Sequence, residues 1–322
     1  MAIVTNTFLT YDAKGIREDL ANTISNISPE ETPFMSNARG PKKAVTNRLS
    51  EWQTDALATA DGANAALEGD DLSGYEAVTA TVRVGNYTQI SRKTVIISGT
   101  EEVVDKAGRS SELAYQVAKK AAELKRDQET IFLRNQSGTA GNSTTKQTLA
   151  SMGAWVKTNV DKDALGTNPS WSSGVPTLRT DSTALRTFTE IILKNVLQLG
   201  WTAGADFSIV MTGPVNKQRA SGFNGIATRF KDVPSGQASI VGAADVYVGD
   251  FGQVTIVPNR FSRERDAWFL DRSMYGVRYL RPYEIQKMAK TGDAEKRMML
   301  AEYTLAVSNE LGLGLAADLI TS

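Results

Sequence analysis

The sequence predicts an α+β fold, and three observations carry that prediction. Strand-like and helix-like stretches are mixed along the chain without the regular β-α-β alternation of a parallel, doubly wound sheet. One stretch, "SSELAYQVAKKAAELKRDQETIFLRNQ" (110–136), has helical periodicity and no interior glycine or proline. Another, "YEAVTATVRVGNYTQISRKTVIIS" (75–98), alternates apolar and polar residues as a strand does.

In chain order, a short helix is predicted within "AKGIREDLANTISNI" (13–27), where Ile16, Leu20, Ile24 and Ile27 recur at near-helical spacing. The stretch "ISPEETPFMSNARG" (27–40) follows. Pro29 and Pro33 fix φ and push their preceding residues towards extended geometry, so a stiff, extended strap is expected. Phe34 and Met35 on it call for burial, either under a loop of the same chain or against another subunit. "VTNRLSEWQT" (45–54) and the alternating stretch, with Val78, Ala80, Val82 and Val84 on one face, read as two long strands of a hairpin over 44–92. Its tip, 53–74, carries Asp55, Asp61, Glu68, Asp70 and Asp71 and no lysine or arginine. A two-stranded ribbon is marginal alone in water, and the adjacent sequence offers it little core. A neighbouring subunit is therefore expected beneath it.

Ser98 and Glu101 have capping-box spacing, with Gly108 as a stop. The helix at 110–136 comes next, roughly 40 Å long at 1.5 Å per residue. Leu113, Val117, Ala121, Leu124, Gln128 and Ile131 form its narrow apolar stripe. Lys119, Lys120, Glu123, Lys125, Arg126, Asp127 and Glu129 are assigned to the wet face, as suits a rod supporting one sheet. Residues 137–180 read as connecting and surface structure, with "ASMGAWV" (150–156) their one apolar island. A second helix is predicted in 182–200, burying Leu185, Phe188, Ile192, Val196 and Leu199, with Gly200 as its cap. "FSIVMT" (207–212) reads as a buried strand, Pro214 as the first turn of a short helix, and "VYVGDFGQVTIV" (246–257) as a hairpin. Residues 267–309 read as further strands turning at "TGD" (291–293).

Composition narrows function. Among 322 residues, 36 are Lys or Arg and 36 are Asp or Glu, a formal net charge of zero, whereas a dedicated nucleic-acid binder carries a basic excess or patch. Histidine and cysteine are absent, which removes Ser-His-Asp and Cys-His catalysis, imidazole or thiolate zinc sites, and disulfides. No segment approaches the roughly 20 apolar residues of a membrane helix. The acid pairs Glu101-Glu102 and Asp70-Asp71 are weighed as glycosidase carboxylates and read as capping or solvated groups. "DDLSGYE" lacks calcium-loop spacing, and "GLGLAA" (312–317) reads as chain-end packing rather than a G-x-G turn. Lys217, Arg219, Arg229 and Lys231 read as a solvated basic face, and Trp52, Trp155, Trp171, Trp201 and Trp268 as core or interface anchors. No catalytic, cofactor or metal site is predicted.

The order of parts resembles the major capsid proteins of tailed bacteriophages with the Hong Kong 97 coat fold. Three patches carry the resemblance: "SPEETPF" after a short arm helix, "GNYTQISRKTVIISGTEE" leading into "ELAYQVAKKAAELKRDQE", and "RYLRPYEIQKMAKTGDAEKRMMLAEYTLAVSNE". The resemblance implies an N-terminal arm at 1–43, an extended loop at 44–92 lying over an adjacent subunit, and a peripheral domain at 93–179 with its spine helix at 110–136. It further implies an axial domain at 180–256, peripheral strands at 257–307 and a return to the axial domain at 308–322. The implied function is a self-assembling head of hexamers and pentamers around double-stranded DNA, a virion component assembled in the bacterial cytoplasm. The implied partners are other copies, a portal protein and either a separate scaffolding or decoration protein or none, with weak DNA contact, no cofactor and no membrane. Candidate inter-subunit contacts are Pro29, Pro33, Phe34, Arg39, Lys42, Lys43, Arg48, Trp52, Asp61, Glu68, Asp70 and Asp71. No lysine lies between Lys43 and Lys93, so the isopeptide weld some members make from this loop is not expected. With the arm starting near Met1, removal of an N-terminal scaffolding segment is not expected either. An encapsulin-type compartment, a tail or decoration protein and a carboxylate hydrolase are the alternatives.

Overall fold

The structure, a computed structural model, describes residues 31–65, 68–69, 74–75, 77–105, 108, 110–223 and 246–321. The helix predicted in 13–27, together with Pro29, Asp70, Asp71, Arg229 and Lys231, lies outside the described residues. The first elements are α1 (Pro33–Asn37), β1 (Leu49–Thr54), β2 (Val82–Tyr87), β3 (Gln89–Ser98), α2 (Gly99–Val103) and α3 (Glu112–Leu133). Then come α4 (Met152–Trp155), β4 (Val160–Asp161), β5 (Trp171–Ser172), β6 (Val175–Pro176), α5 (Glu190–Thr202), β7 (Ile209–Thr212) and α6 (Pro214–Ala220). The chain finishes with β8 (Val246–Gly249), β9 (Gly252–Pro258), β10 (Ala267–Leu270), β11 (Tyr275–Lys287), β12 (Ala294–Val307) and β13 (Leu313–Ala316).

Two sheets organise the body. A six-stranded sheet runs β4-β13-β10-β7-β9-β8, and a three-stranded antiparallel sheet runs β11-β12-β3 with α3 packed on it. β7, β10 and β13 are buried at every residue, as unbroken apolar runs in a sheet covered on both faces require. Side-chain alternation divides each of them between two cores. Trp268 and Leu270 join a core with Leu124, Phe132, Trp155 and Tyr303, while Ala267 and Phe269 join Leu193, Val196, Phe207 and Val254 beneath α5. The six-stranded sheet is thus the partition between two hydrophobic cores.

The buried strand at 207–212, the proline-led α6, the β8–β9 hairpin and the turn at 291–293 all form where the sequence places them, with Gly252 and Gly292 at positive φ in the two turns. Ser98 caps α2 by accepting from the Glu101 amide, and Ser111 caps α3 by accepting from Ala114. α3 has 22 residues rather than the expected 27, because Ser111 is its extended N-cap and Arg134 turns extended after Leu133.

Other expectations are corrected. The strap around Pro33 is not extended: Pro33 opens α1, whose first turn tolerates a missing amide hydrogen. The expected 75–98 strand is two strands, β2 pairing with β1 and β3 crossing to pair with β12. Residues 149–156 are core, not surface, and are buried without exception. Gly200 does not end its helix; it lies within the last turn against the Phe207 ring, and Gly204 supplies the positive φ after the helix. Leu185 and Leu199, expected on the buried side, are exposed. β10 falls within the stretch expected to be peripheral strands, yet it is hydrogen-bonded in the middle of the six-stranded sheet, between β7 and β13.

Candidate inter-subunit surface

The most exposed described part of the molecule is the tip, 55–81, carried by the ribbon of β1 and β2. The ribbon's strands pair in register from Leu49↔Tyr87 to Thr54↔Val82, and Arg83 forms an ion pair with Glu51 across it. Beyond Thr54 and Val82 the described residues leave the sheet, and Leu57, Tyr75 and Val78 are 99%, 87% and 96% exposed. Asp61 and Glu68 are exposed on this tip, Asp61 accepting from the Ala63 amide at 2.8 Å.

The base of the ribbon rests on its own subunit, contrary to the expectation that the chain offers it little core. Asn86 saturates its amide with Ala150 N, Ala150 O and Leu305 O at 2.7–2.9 Å. The Gly85 amide donates to Gly174 O at 3.0 Å. Trp52, half-buried, stacks on Trp155 at 5.5 Å, and Trp155 meets Trp171 edge-on at 5.5 Å. Trp52 therefore anchors the ribbon within the subunit.

The arm's root, 33–45, is bound along the start of β11. Amides of Arg39, Gly40 and Val45 donate to carbonyls of Arg272, Tyr275 and Tyr279 at 2.9–3.1 Å, and Arg278 Nε donates to Lys43 O at 2.7 Å. Gly40 and Gly276 permit this approach: a Cβ on either would sit 2.3–2.6 Å from the facing backbone. The side chains of Arg39, Lys42, Lys43 and Arg48 remain exposed, giving a basic margin beside the ribbon. Phe34 is not available to a neighbour, since it is fully buried, stacked on Tyr275 at 4.6 Å and packed near Phe132 at 5.9 Å.

Glu129 holds this root and is the residue the sequence reading misplaced. Assigned to the wet face of the helix, it is fully buried and accepts from Phe34 N at 2.6 Å, Met35 N at 3.0 Å and Asn259 Nδ2 at 2.7 Å. Burial raises its pKa, opposed by those hydrogen bonds. The apolar stripe gives no sign of it, because α3 faces the arm root as well as the sheet.

A second buried polar cluster was also missed. Arg179 pairs with Asp181 at 2.7 Å and with the fully buried Asp266 at 2.8 Å; Arg263 pairs with both aspartates, and Arg265 reaches Asp318 at 2.8 Å. It ties 179–182, the turn before β10 and the chain end together. Glu102, one of the weighed acid pair, accepts from Ser111 Oγ at 2.5 Å and Leu113 N at 3.1 Å, so it caps α3. Glu101 is exposed beside its own cap. Among the described residues no group of three or more Asp or Glu is placed to hold a metal ion, and no helix is long and apolar enough to cross a membrane.

A third exposed feature lies at the far end of the six-stranded sheet. Trp201, 62% exposed, packs on Phe251 of the β8–β9 turn at 5.6 Å, with Ile191, Leu199, Val246 and Val248 also exposed on α5 and β8.

Known proteins match this architecture along its whole length. A family model described as SU10 major capsid protein matches residues 3–319. The major capsid protein of Escherichia phage Phieco32 is 31% identical over 342 aligned positions, covering 95% of each chain. The capsid subunit of cyanophage A-1(L) superposes with a TM-score of 0.63 at 10% identity, covering 98% of this chain and 99% of that one. The capsid of a native GTA particle gives 0.59 at 15% identity over 97% and 98%. An encapsulin complex from Synechococcus elongatus gives 0.52 at 10% identity over 93% of each chain. The fold is that of the Hong Kong 97 coat proteins.

Proposed function

The chain belongs to the SU10 major capsid protein family and is a structural component of a phage virion, and from that premise we propose how its geometry builds a head. Copies assemble as hexamers and pentamers into an icosahedral shell around double-stranded DNA, in the cytoplasm of the host bacterium. The ribbon is the observation that supports this reading most. It is anchored at its base, yet its distal side chains Leu57, Tyr75 and Val78 are almost fully exposed, as suits a segment that another copy covers. The three-stranded sheet with α3 serves as the peripheral domain, and α5 with the β8–β9 turn lies towards the capsomer centre, where the Trp201–Phe251 patch meets its counterpart.

Charge supplies register. The acidic tip, Asp55, Asp61, Glu68, Asp70 and Asp71, faces the basic margin of Arg39, Lys42, Lys43 and Arg48 on an adjacent copy. Each exposed pair contributes only about 0.2–1 kcal/mol, but the contact recurs at every subunit. Reversing Asp70 and Asp71 to lysine is expected to impair shell assembly while leaving the subunit's thermal midpoint within a few degrees of wild type. Normal shells from that variant would remove the pairing. The shell is held without loop-lysine crosslinks, takes a portal protein as partner, assembles with or without a separate scaffolding or decoration protein, touches DNA weakly, and has no enzymatic role. Negative-stain imaging of the chain, expressed alone and with its genomic neighbours, tests the reading. Closed shells or capsomers are expected, and a uniform monomer in both preparations would contradict it.

A further inference from the structure

We propose that Glu129 is a positioning residue for assembly, a carboxylate latch that fixes the arm's root, Phe34–Val45, on the subunit. The inference rests on the coat reading only for its assembly half. Glu129 sits near the C-terminal end of α3, and its side chain collects donors from two remote parts of the chain: the Phe34 and Met35 amides, 95 and 94 residues away, and Asn259. Those two amides belong to the first turn of α1, where no carbonyl of the helix can reach them. α1 has only five residues, and its N-cap Thr32 makes no side-chain capping bond. The carboxylate of Glu129 therefore takes the place of a local cap.

The ring of Phe34 completes the latch. It is stacked on Tyr275, whose hydroxyl donates to Phe34 O at 3.4 Å, and the next residues continue along β11 through Arg39, Gly40 and Val45. The root is thereby tied to the subunit at Phe34, Met35, Arg39, Gly40, Lys43 and Val45, and residues 1–30 precede it in the chain.

Only a carboxylate fits. Three donors converge on two oxygens, and an ionised carboxylate is a pure acceptor. A glutamine of the same shape has one accepting oxygen, and its NH2 would face either an amide N–H or the Asn259 NH2. Asn259 cannot turn to compensate, because its own Oδ1 accepts from the Phe261 amide at 2.8 Å. Glu129→Gln therefore opens the latch while α3 keeps its length and its apolar contacts.

Amide hydrogen exchange on the unassembled subunit reads the latch directly. In E129Q, exchange at Phe34 and Met35 is expected to accelerate at least tenfold, with the β12 amides unchanged. Unchanged exchange at 34 and 35 would overturn the latch. Shell yield from the same variant, measured by sedimentation, is expected to fall at least fivefold; wild-type yield alongside faster exchange would overturn the positioning role. Absence of shells from the wild-type chain as well would count against the coat reading and leave the exchange result standing. Should E129Q fail to fold, Glu129→Asp keeps the charge but shortens the side chain and draws its oxygens away from the two amides. The same acceleration at 34 and 35 is expected there, and its absence would overturn the proposal.

Discussion

At the scale of single residues, two buried polar groups tie remote parts of the chain together. Arg179 is almost fully buried between Asp181 and Asp266. Removing it leaves the Asp266 carboxylate in the core with Arg263 alone, and breaking a buried pair on one side typically costs about 3–5 kcal/mol. Arg179→Met is expected to destabilise by that order in urea denaturation, and Arg179→Met with Asp266→Leu by less than the single change, since the double variant strands no charge. Glu129 contributes a pH dependence of definite sign. Burial holds its pKa above the ordinary glutamate value, so the folded chain binds that proton more tightly than the unfolded one. Burial thus penalises the ionised form, so stability falls as pH rises from the ordinary pKa through the raised one, above which the ionised carboxylate makes the latch at that cost. Wild-type stability relative to E129Q, followed by urea titration, is therefore expected to fall with pH across that window and to be flat above it. A rise would mean the hydrogen bonds outweigh burial.

At the scale of elements, close packing decides what substitutions do. Gly200 lies inside α5, where alanine has the better intrinsic helix propensity, yet a Cβ there would fall 2.0 Å from the Phe207 ring. Gly200→Ala is expected to lower stability by about 1–3 kcal/mol through overpacking. Gly204→Ala, in open space but at φ +86, should lose about 1 kcal/mol through backbone strain alone. Thermal melts of the two variants separate these mechanisms. The same elements explain what the sequence made legible. Uninterrupted apolar runs such as Ile209–Thr212 and Ala267–Leu270 announce strands buried on both faces, and the turns at Gly252 and Gly292 announce hairpins. The break at Thr88 was hidden, because alternation continues through it; long-range bonds from Asn86 to Ala150 and Leu305 move the chain from one sheet to the other. The burial of 149–156 was hidden in the same way, since its polar flanks resemble a loop and its partners are remote in sequence. The acidic tip and the basic margin were legible as charge. Glu129 was not, because a single helical stripe cannot register a second packing partner.

At the scale of the whole molecule, the chain is well packed in its body and unsatisfied at its projections. Its two cores lie on either side of the partition sheet, whereas the described ribbon tip and the Trp201–Phe251 patch expose apolar surface that another copy can cover. The lack of lysine between Lys43 and Lys93 bears on how the shell is held. Denatured shells are expected to run on a gel as a single 34.8 kDa band, and a ladder of covalent multimers would show a weld from another lysine. On the proposed function, the tip of the ribbon is covered only in the assembled state. Amide exchange over 55–65 and 77–81, compared between free subunits and purified shells, tests it most directly. Fast exchange is expected in the free subunit and at least tenfold slowing in the shell, with the β1–β2 pairs protected in both. Shells in which those residues exchange as fast as in the free subunit would contradict it.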